Sequence, residues 1–320
     1  MQRFSAITEA SNSDDTQLSR CGERILESTI RDIKRLVQKG GPTPQEYTSL
    51  NQAMDKLVLC RKSGVLSQQQ FTKILHAFGN ALSIETIQGF VFQKPHGYAG
   101  DFEVIERIYN YWTAPDPNLK NWDRFFHSHK APQAVRNRVS YFLEQIWKMK
   151  NQFQMEARVL NVGSGPGRDL YETLKVIGPS NIVFDCIDQD RQAIQYAETL
   201  CKDFSDTVNF LHKNVLRFNP TEKYDLIWSA GLFDYFSDAL FKRVIKRLLP
   251  GLKKNGKLVI GNFSDDNPTQ GYMELFDWIL IHRSKRKLLE LAEACGVSPK
   301  NVWIEQEAEG VNLFLHILKT

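Results

Sequence analysis

The sequence predicts an α/β fold, a mostly parallel sheet closed by an antiparallel hairpin and preceded by a helical segment, on three observations. Apolar residues keep helical spacing almost everywhere up to about residue 152. From residue 157 short apolar runs alternate with helical stretches, the pattern of βαβ units whose parallel sheet is covered on both faces. The chain then closes with two strand-like runs joined by a very short turn, which forces antiparallel pairing.

Taken in order, the first fifteen residues read as a frayed polar start. Leu26, Ile30, Ile33 and Val37 make the first helical stripe, closed by Gly40-Gly41-Pro42. Phe71, Ile74, Leu75, Phe78 and Leu82 make another, opened by a Ser67…Gln70 capping box. After the loop KPHGYAG, Asp101 is placed to cap a helix carrying Phe102, Ile105, Ile108, Tyr109 and Trp112. Pro132 suits the first turn of a long helix with Val135, Val139, Phe142, Leu143 and Ile146 on one face. These make a helical domain and lid over 1–152. The strand-like runs are 158–162, 182–188, 208–211, 225–230 and 257–263, with helical spacing over 169–177, 191–204 and 238–249 between them. Runs 302–309 and 312–319, turning at Gly310, supply the hairpin of a seven-stranded sheet, and 153–320 is the second domain.

Composition narrows the function. Net charge over the 320 residues is only +4, without a block of five like charges, which offers nucleic acid or an anionic membrane no basis for binding. No apolar run approaches the roughly 20 residues of a membrane span, and the first thirty residues hold no signal-like apolar stretch. Five scattered cysteines (Cys21, Cys60, Cys186, Cys201, Cys295) without a C-x-x-C pair read as reduced thiols of a cytoplasmic protein. No metal site is expected: His127 and His129 have H-x-H spacing with no further ligand candidate nearby.

Chemistry concentrates where the first strand runs into Gly163-Ser164-Gly165-Pro166-Gly167 and then a helix. Glycines there permit a tight turn and let backbone approach a ligand, at the strand edge where open parallel sheets bind them. The form G-x-G-x-G is the one used for S-adenosylmethionine; dinucleotide binders favour G-x-G-x-x-G, and Arg168 stands where that last glycine would be. Asp188 ends the second strand, 21 residues after Gly167, where a carboxylate can accept both ribose hydroxyls. Asp185 should lie within that strand and Asp190 one step into the next helix. Asn214, just after strand three, is placed either to pair with an adenine amino group or simply to make a turn.

Together these features resemble the class I S-adenosylmethionine-dependent methyltransferases over about 155–320, which implies a Rossmann-like fold and that cofactor. The resemblance makes Gly163, Ser164, Gly165, Gly167, Asp188, Gln189, Asn214, Val215, Ser229 and Gly231 cofactor-binding candidates. One departure stands out: Asn161 occupies the position, two before the first glycine, where the family commonly has an acid near the methionine end. Asn161 still offers a hydrogen bond there but no countercharge. HGYAGDFEVIERIY (96–109), SAGLFDYFSD (229–238) and GNFSDDNPTQGYMELFDWILIHRS (261–284) are similar to a bacterial subfamily whose members carry the label of 3-hydroxypalmitic acid methyl ester biosynthesis. That similarity implies carboxyl methylation of a hydroxy fatty acid or related metabolite.

On the acceptor side, methyl transfer needs alignment and a dry site, and a carboxylate acceptor needs no general base. No N-P-P-Y type motif for base amines is present. Tyr98 is expected to reach the sulfonium region from a lid, where a tyrosine face or hydroxyl is favourable; the alternative is a packing residue. Asp234 and Tyr235 follow strand four and can hold the acceptor, or else cap a helix and fill the core. Tyr272 is a further substrate candidate. Arg283, read as ending an amphipathic helix after strand five, either forks onto a substrate carboxylate or complements the helix terminus. The set Lys242, Arg243, Lys246, Arg247, Lys253, Lys254 and Lys257 reads as a solvated face or as the docking site of an acidic acyl carrier. A methyltransferase for a small apolar acceptor is therefore expected. Its rivals are transfer or cyclisation of the cofactor's aminobutyrate arm with release of methylthioadenosine, and a non-catalytic binding protein on the same fold. Oligomeric state is not readable.

Overall fold

The apolar runs of the second half become β1 (Ala157–Val162), β2 (Ile182–Asp188), β3 (Val208–His212), β4 (Tyr224–Ser229), β5 (Leu252–Phe263), β6 (Val302–Gln306) and β7 (Asn312–Leu318) of a computed structural model describing residues 20, 22–152, 156–178 and 180–320. The expected polar start and Cys21 lie outside the described residues. The strands form one sheet in the order β3-β2-β1-β4-β5-β7-β6. β1 to β5 are mutually parallel, and β7 pairs antiparallel with both β5 and β6. Parallel pairing brings the carboxyl ends of β1 to β5 to one edge.

The helices are α1 (22–38), α2 (Tyr47–Lys62), α3 (Gln68–Ala77), α4 (Ile87–Gln93), α5 (Phe102–Tyr109), α6 (Pro117–His127), α7 (Lys130–Gln152), α8 (Arg168–Ile177), α9 (Arg191–Leu200), α10 (Asp238–Leu248), α11 (Gln270–Leu275) and α12 (Lys285–Glu293). Among the described residues no helix is long and apolar enough to cross a membrane.

Two compact units emerge, and each is discontinuous along the chain. The larger comprises 100–111, 129–268 and 280–320, so α5 and α7 join the sheet domain instead of staying with a helical domain that stops at residue 152. The reason lies in α7. Its Phe142 and Ile146 are buried with Val159, Phe184, Trp228, Val259 and Phe314 in the core on one side of the sheet. The core on the other side gathers Leu160, Val162, Ile187, Ile227, Leu258 and Ile260 with Phe241 and Leu248 of α10 and Leu288 of α12. Each such side chain fully buried contributes roughly 1.5–3 kcal/mol. Asp185, buried inside β2, accepts from Arg158 Nε at 2.8 Å, Asn209 Nδ2 at 2.9 Å and the Tyr224 hydroxyl at 3.0 Å, and so ties four neighbouring strands together.

The smaller unit gathers the described parts of 1–99, 112–128 and 269–279. The capping box opens α3 as expected, with Gln70 N donating to Ser67 Oγ at 3.2 Å and Ser67 N to Gln70 Oε1 at 2.9 Å. Its core packs Phe78 edge-on against both Trp122 and Phe276, and Tyr272 against Phe125. The buried Asp123 carboxylate accepts from Ile87 N and Ala114 N, both at 2.7 Å, and pins the start of α4 to the loop before α6.

One sequence expectation is corrected here. The segment after β5 does not form a helix running to His282 and Arg283. α11 stops at Leu275, Asp277 takes φ 59°, and 281–283 returns to the sheet, with Ile281 N donating to Asp234 O and Arg283 N to Phe263 O. Arg283 stands immediately before Ser284, the N-cap of α12, so it closes no helix.

Candidate cofactor and acceptor site

The glycine loop is shaped by three residues at positive φ: Gly163 (67°), Gly165 (53°) and Gly167 (69°). Left-handed backbone costs a side-chain-bearing residue about 1–2 kcal/mol, which is why glycine stands at these turns. Gly163 N and Ser164 N donate to Ile187 O at 2.8 and 3.2 Å, folding the loop back over the end of β2. A Cβ on Gly165 would meet nothing within 4 Å, so this backbone faces open space, whereas Gly163 abuts Leu232 and Gly167 abuts Ala197.

Asp188 stands beside that opening. Its Oδ2 accepts from Gly165 N and its Oδ1 from Asp190 N, each at 2.9 Å, and burial pushes its carboxyl above the usual range. Asp185 lies within β2 and Asp190 caps α9, bonding Gln192 N at 2.8 Å, so the three acids take separate tasks. Gln189 and Asn214 meet: Asn214 Nδ2 donates to Gln189 Oε1 at 3.1 Å, while Asn214 Oδ1 accepts from Leu216 N at 2.8 Å in a local turn. Val215 is buried with Ile187 in the core. Ser229 is buried and its hydroxyl donates to Val162 O at 2.8 Å, tying β4 to β1.

Two buried polar atoms at the loop lack a hydrogen-bond partner among the described residues: Asn161 Nδ2 and Ser164 Oγ. Burying such groups unmet costs about 1–3 kcal/mol each. Together with the open face of Gly165 and the carboxylate of Asp188, they fit a ligand that brings its own acceptors and ribose hydroxyls, as S-adenosylmethionine does.

The acceptor candidates divide. Asp234 is fully buried after β4, accepts from Phe263 N at 2.6 Å, and has its carboxyl pushed up to about 6 by burial, against the pull of Arg138 and Arg283. Tyr235 beside it is 40% exposed. Tyr272 and Tyr98 belong to the smaller unit, where the Tyr272 hydroxyl donates to Gln88 Oε1 at 2.8 Å and Tyr98 is 39% exposed on the loop between α4 and α5. Asp101 caps α5 through bonds from Glu103 N and Val104 N. Arg283 is 2% exposed, and its guanidinium is spent on Asp238, Asn262 Oδ1 and the carbonyls of Phe233 and Phe236. Those bonds make it a strut under the 233–238 turn and leave no fork for a substrate. His127 Nε2 lies 2.8 Å from Trp112 O, and no group of three metal-ligating side chains occurs among the described residues.

Two groups escaped the sequence reading. Glu106 of α5 is buried between Arg168, Tyr196 and Asn110, accepting from Arg168 Nε at 3.1 Å and the Tyr196 hydroxyl at 2.7 Å, and thereby clamps α5 to α8 and α9. Arg138 of α7 is 6% exposed at the ends of β4 and β5. Its signal was present: it is a charge three residues after Val135 and four before Phe142, on the buried face of a helix.

Residues 159–256 match the methyltransferase domain family. With this strand order and glycine loop, that part of the chain is a class I S-adenosylmethionine-dependent methyltransferase domain. The chain is 28% identical over 147 residues to malonyl-[acyl-carrier protein] O-methyltransferase 1 of Ilyobacter polytropus, a match covering 45% of this chain and 52% of the relative. It thus spans about half the length of the curated relative it matches. Among solved structures, a possible exported protein from Bordetella parapertussis shares the fold over 93% of this chain and 96% of its own (TM-score 0.63, 17% identity). The CMeT domain of the citrinin polyketide synthase does so over 84% and 65% (TM-score 0.50, 13% identity).

Proposed function

We propose that this methyltransferase transfers the methyl group to a carboxylate oxygen of a small, largely apolar acceptor, of the hydroxy fatty acid or acyl type. The observation that carries the cofactor half is the cradle at β1 and β2: the open face of Gly165, the Asp188 carboxylate bonded to its N–H, and the unmet Asn161 Nδ2 and Ser164 Oγ. When bound, S-adenosylmethionine supplies the methyl group: the new O–C bond forms as S–C breaks and its electron pair passes to sulfur. In this reading Asp188 accepts from the ribose hydroxyls, Gln189 and Asn214 flank the adenine, and Asn161 Nδ2 donates to the amino-acid end. The O-methylation half is supported by the 28% identical relative, a malonyl-[acyl-carrier protein] O-methyltransferase, and by the absence of any need for a base when a carboxylate attacks. The same relative supports an acyl carrier as bearer of the acceptor, with exposed Arg243, Lys246 and Lys254 as the cations to meet it.

Calorimetric titration with S-adenosylhomocysteine tests the cradle. Wild type should bind, and Asp188→Ala should bind at least about tenfold more weakly, two ribose bonds to a charged acceptor being lost. Chromatography of the by-product tests the chemistry, with S-adenosylhomocysteine expected. Methylthioadenosine in its place would show that the aminobutyrate arm moves instead.

A further inference from the structure

Arg138 is a buried cation that makes no ion pair among the described residues. Its Nε donates to Asn312 Oδ1 at 2.9 Å, and its guanidinium carbon lies 5.3 Å from the centroid of the Phe263 ring. Nη1 and Nη2 have no hydrogen-bond partner among the described residues, and no carboxylate there comes within ion-pair distance. The two acids that feel its charge are met by donors of their own, Asp169 by Leu170 N and Trp228 Nε1, and Asp234 by Phe263 N. Although the residue is only 6% exposed, neither Nη1 nor Nη2 is sealed off from solvent, so both face accessible space that a ligand can enter.

The position says which ligand. Asn312 opens β7 opposite Phe263, the last residue of β5, and a Cβ on Gly231 just past β4 would lie 2.7 Å from Nη1. The guanidinium therefore stands over the ends of β4, β5 and β7, while the cofactor cradle occupies β1 and β2 and reaches β3. Gly231 leaves the space in which the fork sits. The two unmet nitrogens have the spacing that a carboxylate accepts in parallel.

We infer that Arg138 is the carboxylate receptor of the acceptor subsite, holding the acid group of the acceptor against the end of β4. This rests on the methyltransferase reading above and names the residue that receives its carboxylate.

The test uses the full chain saturated with S-adenosylhomocysteine and titrated with octanoate, 3-hydroxydecanoate and glutarate, each against its matching carboxamide. Wild type should prefer at least one carboxylate over its amide by about tenfold or more, as a charged fork requires. Arg138→Gln should erase that preference while leaving the S-adenosylhomocysteine affinity within about threefold, since in this reading the fork holds the acceptor and no atom of the cofactor. Gly231→Ala, which crowds Nη1 without removing the charge, should weaken the preference. Absence of a carboxylate preference in wild type overturns the inference without any variant having to fold. If Arg138→Gln weakens S-adenosylhomocysteine but not methylthioadenosine, the fork serves the cofactor's own carboxylate and the acceptor assignment is overturned. Failure of wild type to bind S-adenosylhomocysteine would instead strike the cofactor reading itself.

Discussion

Acidification from pH 7 to pH 5 should destabilise the sheet domain through His316. This residue of β7 is 1% exposed, with Nε2 2.7 Å from the Tyr141 hydroxyl and its ring stacked on Trp303 at 4.8 Å. Burial pushes its pKa down to about 4 from 6.5, helped by Lys257 and Lys148 and opposed by Glu305. The unfolded chain therefore takes up a proton near pH 6.5 that the folded chain refuses until about pH 4. Stability contributed by the neutral ring is complete above pH 6.5 and is lost as pH falls through that window. At about 1.4 kcal/mol per pH unit, the loss is roughly 2 kcal/mol by pH 5 and roughly 3 kcal/mol near pH 4. Urea unfolding followed by tryptophan fluorescence at pH 7.5, 6.0 and 5.0 measures it, with His316→Gln as the non-titrating reference. Carboxylates remote from the ring titrate alike in both proteins, so the wild-type minus variant difference reports the imidazole together with its neighbour Glu305. Equal pH slopes for the two proteins would refute the reasoning.

Three other substitutions test separate parts of the structure. Gly165→Ala should fold with a loss of about 1–2 kcal/mol from its positive φ, yet bind S-adenosylhomocysteine markedly more weakly, since its methyl enters the open face; unchanged affinity in calorimetry would remove the loop from the site. Glu106→Leu should cost about 3–5 kcal/mol in urea unfolding, because Arg168 stays buried without its main partner, while Glu172→Leu on the exposed side should cost under about 1 kcal/mol. Asp123→Asn turns an amide donor toward one of two backbone N–H groups and should destabilise the smaller unit by about 1–3 kcal/mol, read as faster hydrogen exchange at Ile87 and Ala114.

What could be read from the residues was whatever depends on neighbours in sequence. All seven strands and the helices between β1 and β5 fall within a few residues of expectation, because a period of two or 3.6 is a local property. The places of Asp185 within β2 and Asp188 at its end were legible for the same reason, while Asp190, expected one step into the next helix, is the N-cap just before it. The α7 face shows the limit. Its stripe reads as Val135, Val139, Phe142, Leu143 and Ile146; Val135, Phe142 and Ile146 are buried, but Val139 and Leu143 are only half-buried and the buried side turns to include Ala134, Arg138, Tyr141 and Gln145. A rotation of that size is fixed by Asn312 and Glu305, some 170 residues away, which accept from Arg138 and from the Tyr141 hydroxyl. Arg283 failed in the same way. The run LFDWILIHRS looks like one amphipathic helix, but Asp277 breaks it, and the strand-edge carbonyls and Asp238 that claim the guanidinium are distant in sequence.

The segment 269–279 belongs to the smaller unit although the residues on either side of it belong to the larger. During synthesis that unit cannot complete its core when its own first 128 residues have emerged. Phe78 and Phe125 must wait for Phe276 and Tyr272, made after five of the sheet's strands. Domains that fold as they are made usually finish in order from the amino end; here the sheet's parallel half is available first. A cut at residue 152 would leave the smaller unit without its last helix and the sheet without α5 and α7. Neither unit can therefore be produced whole from one uninterrupted stretch of its own residues.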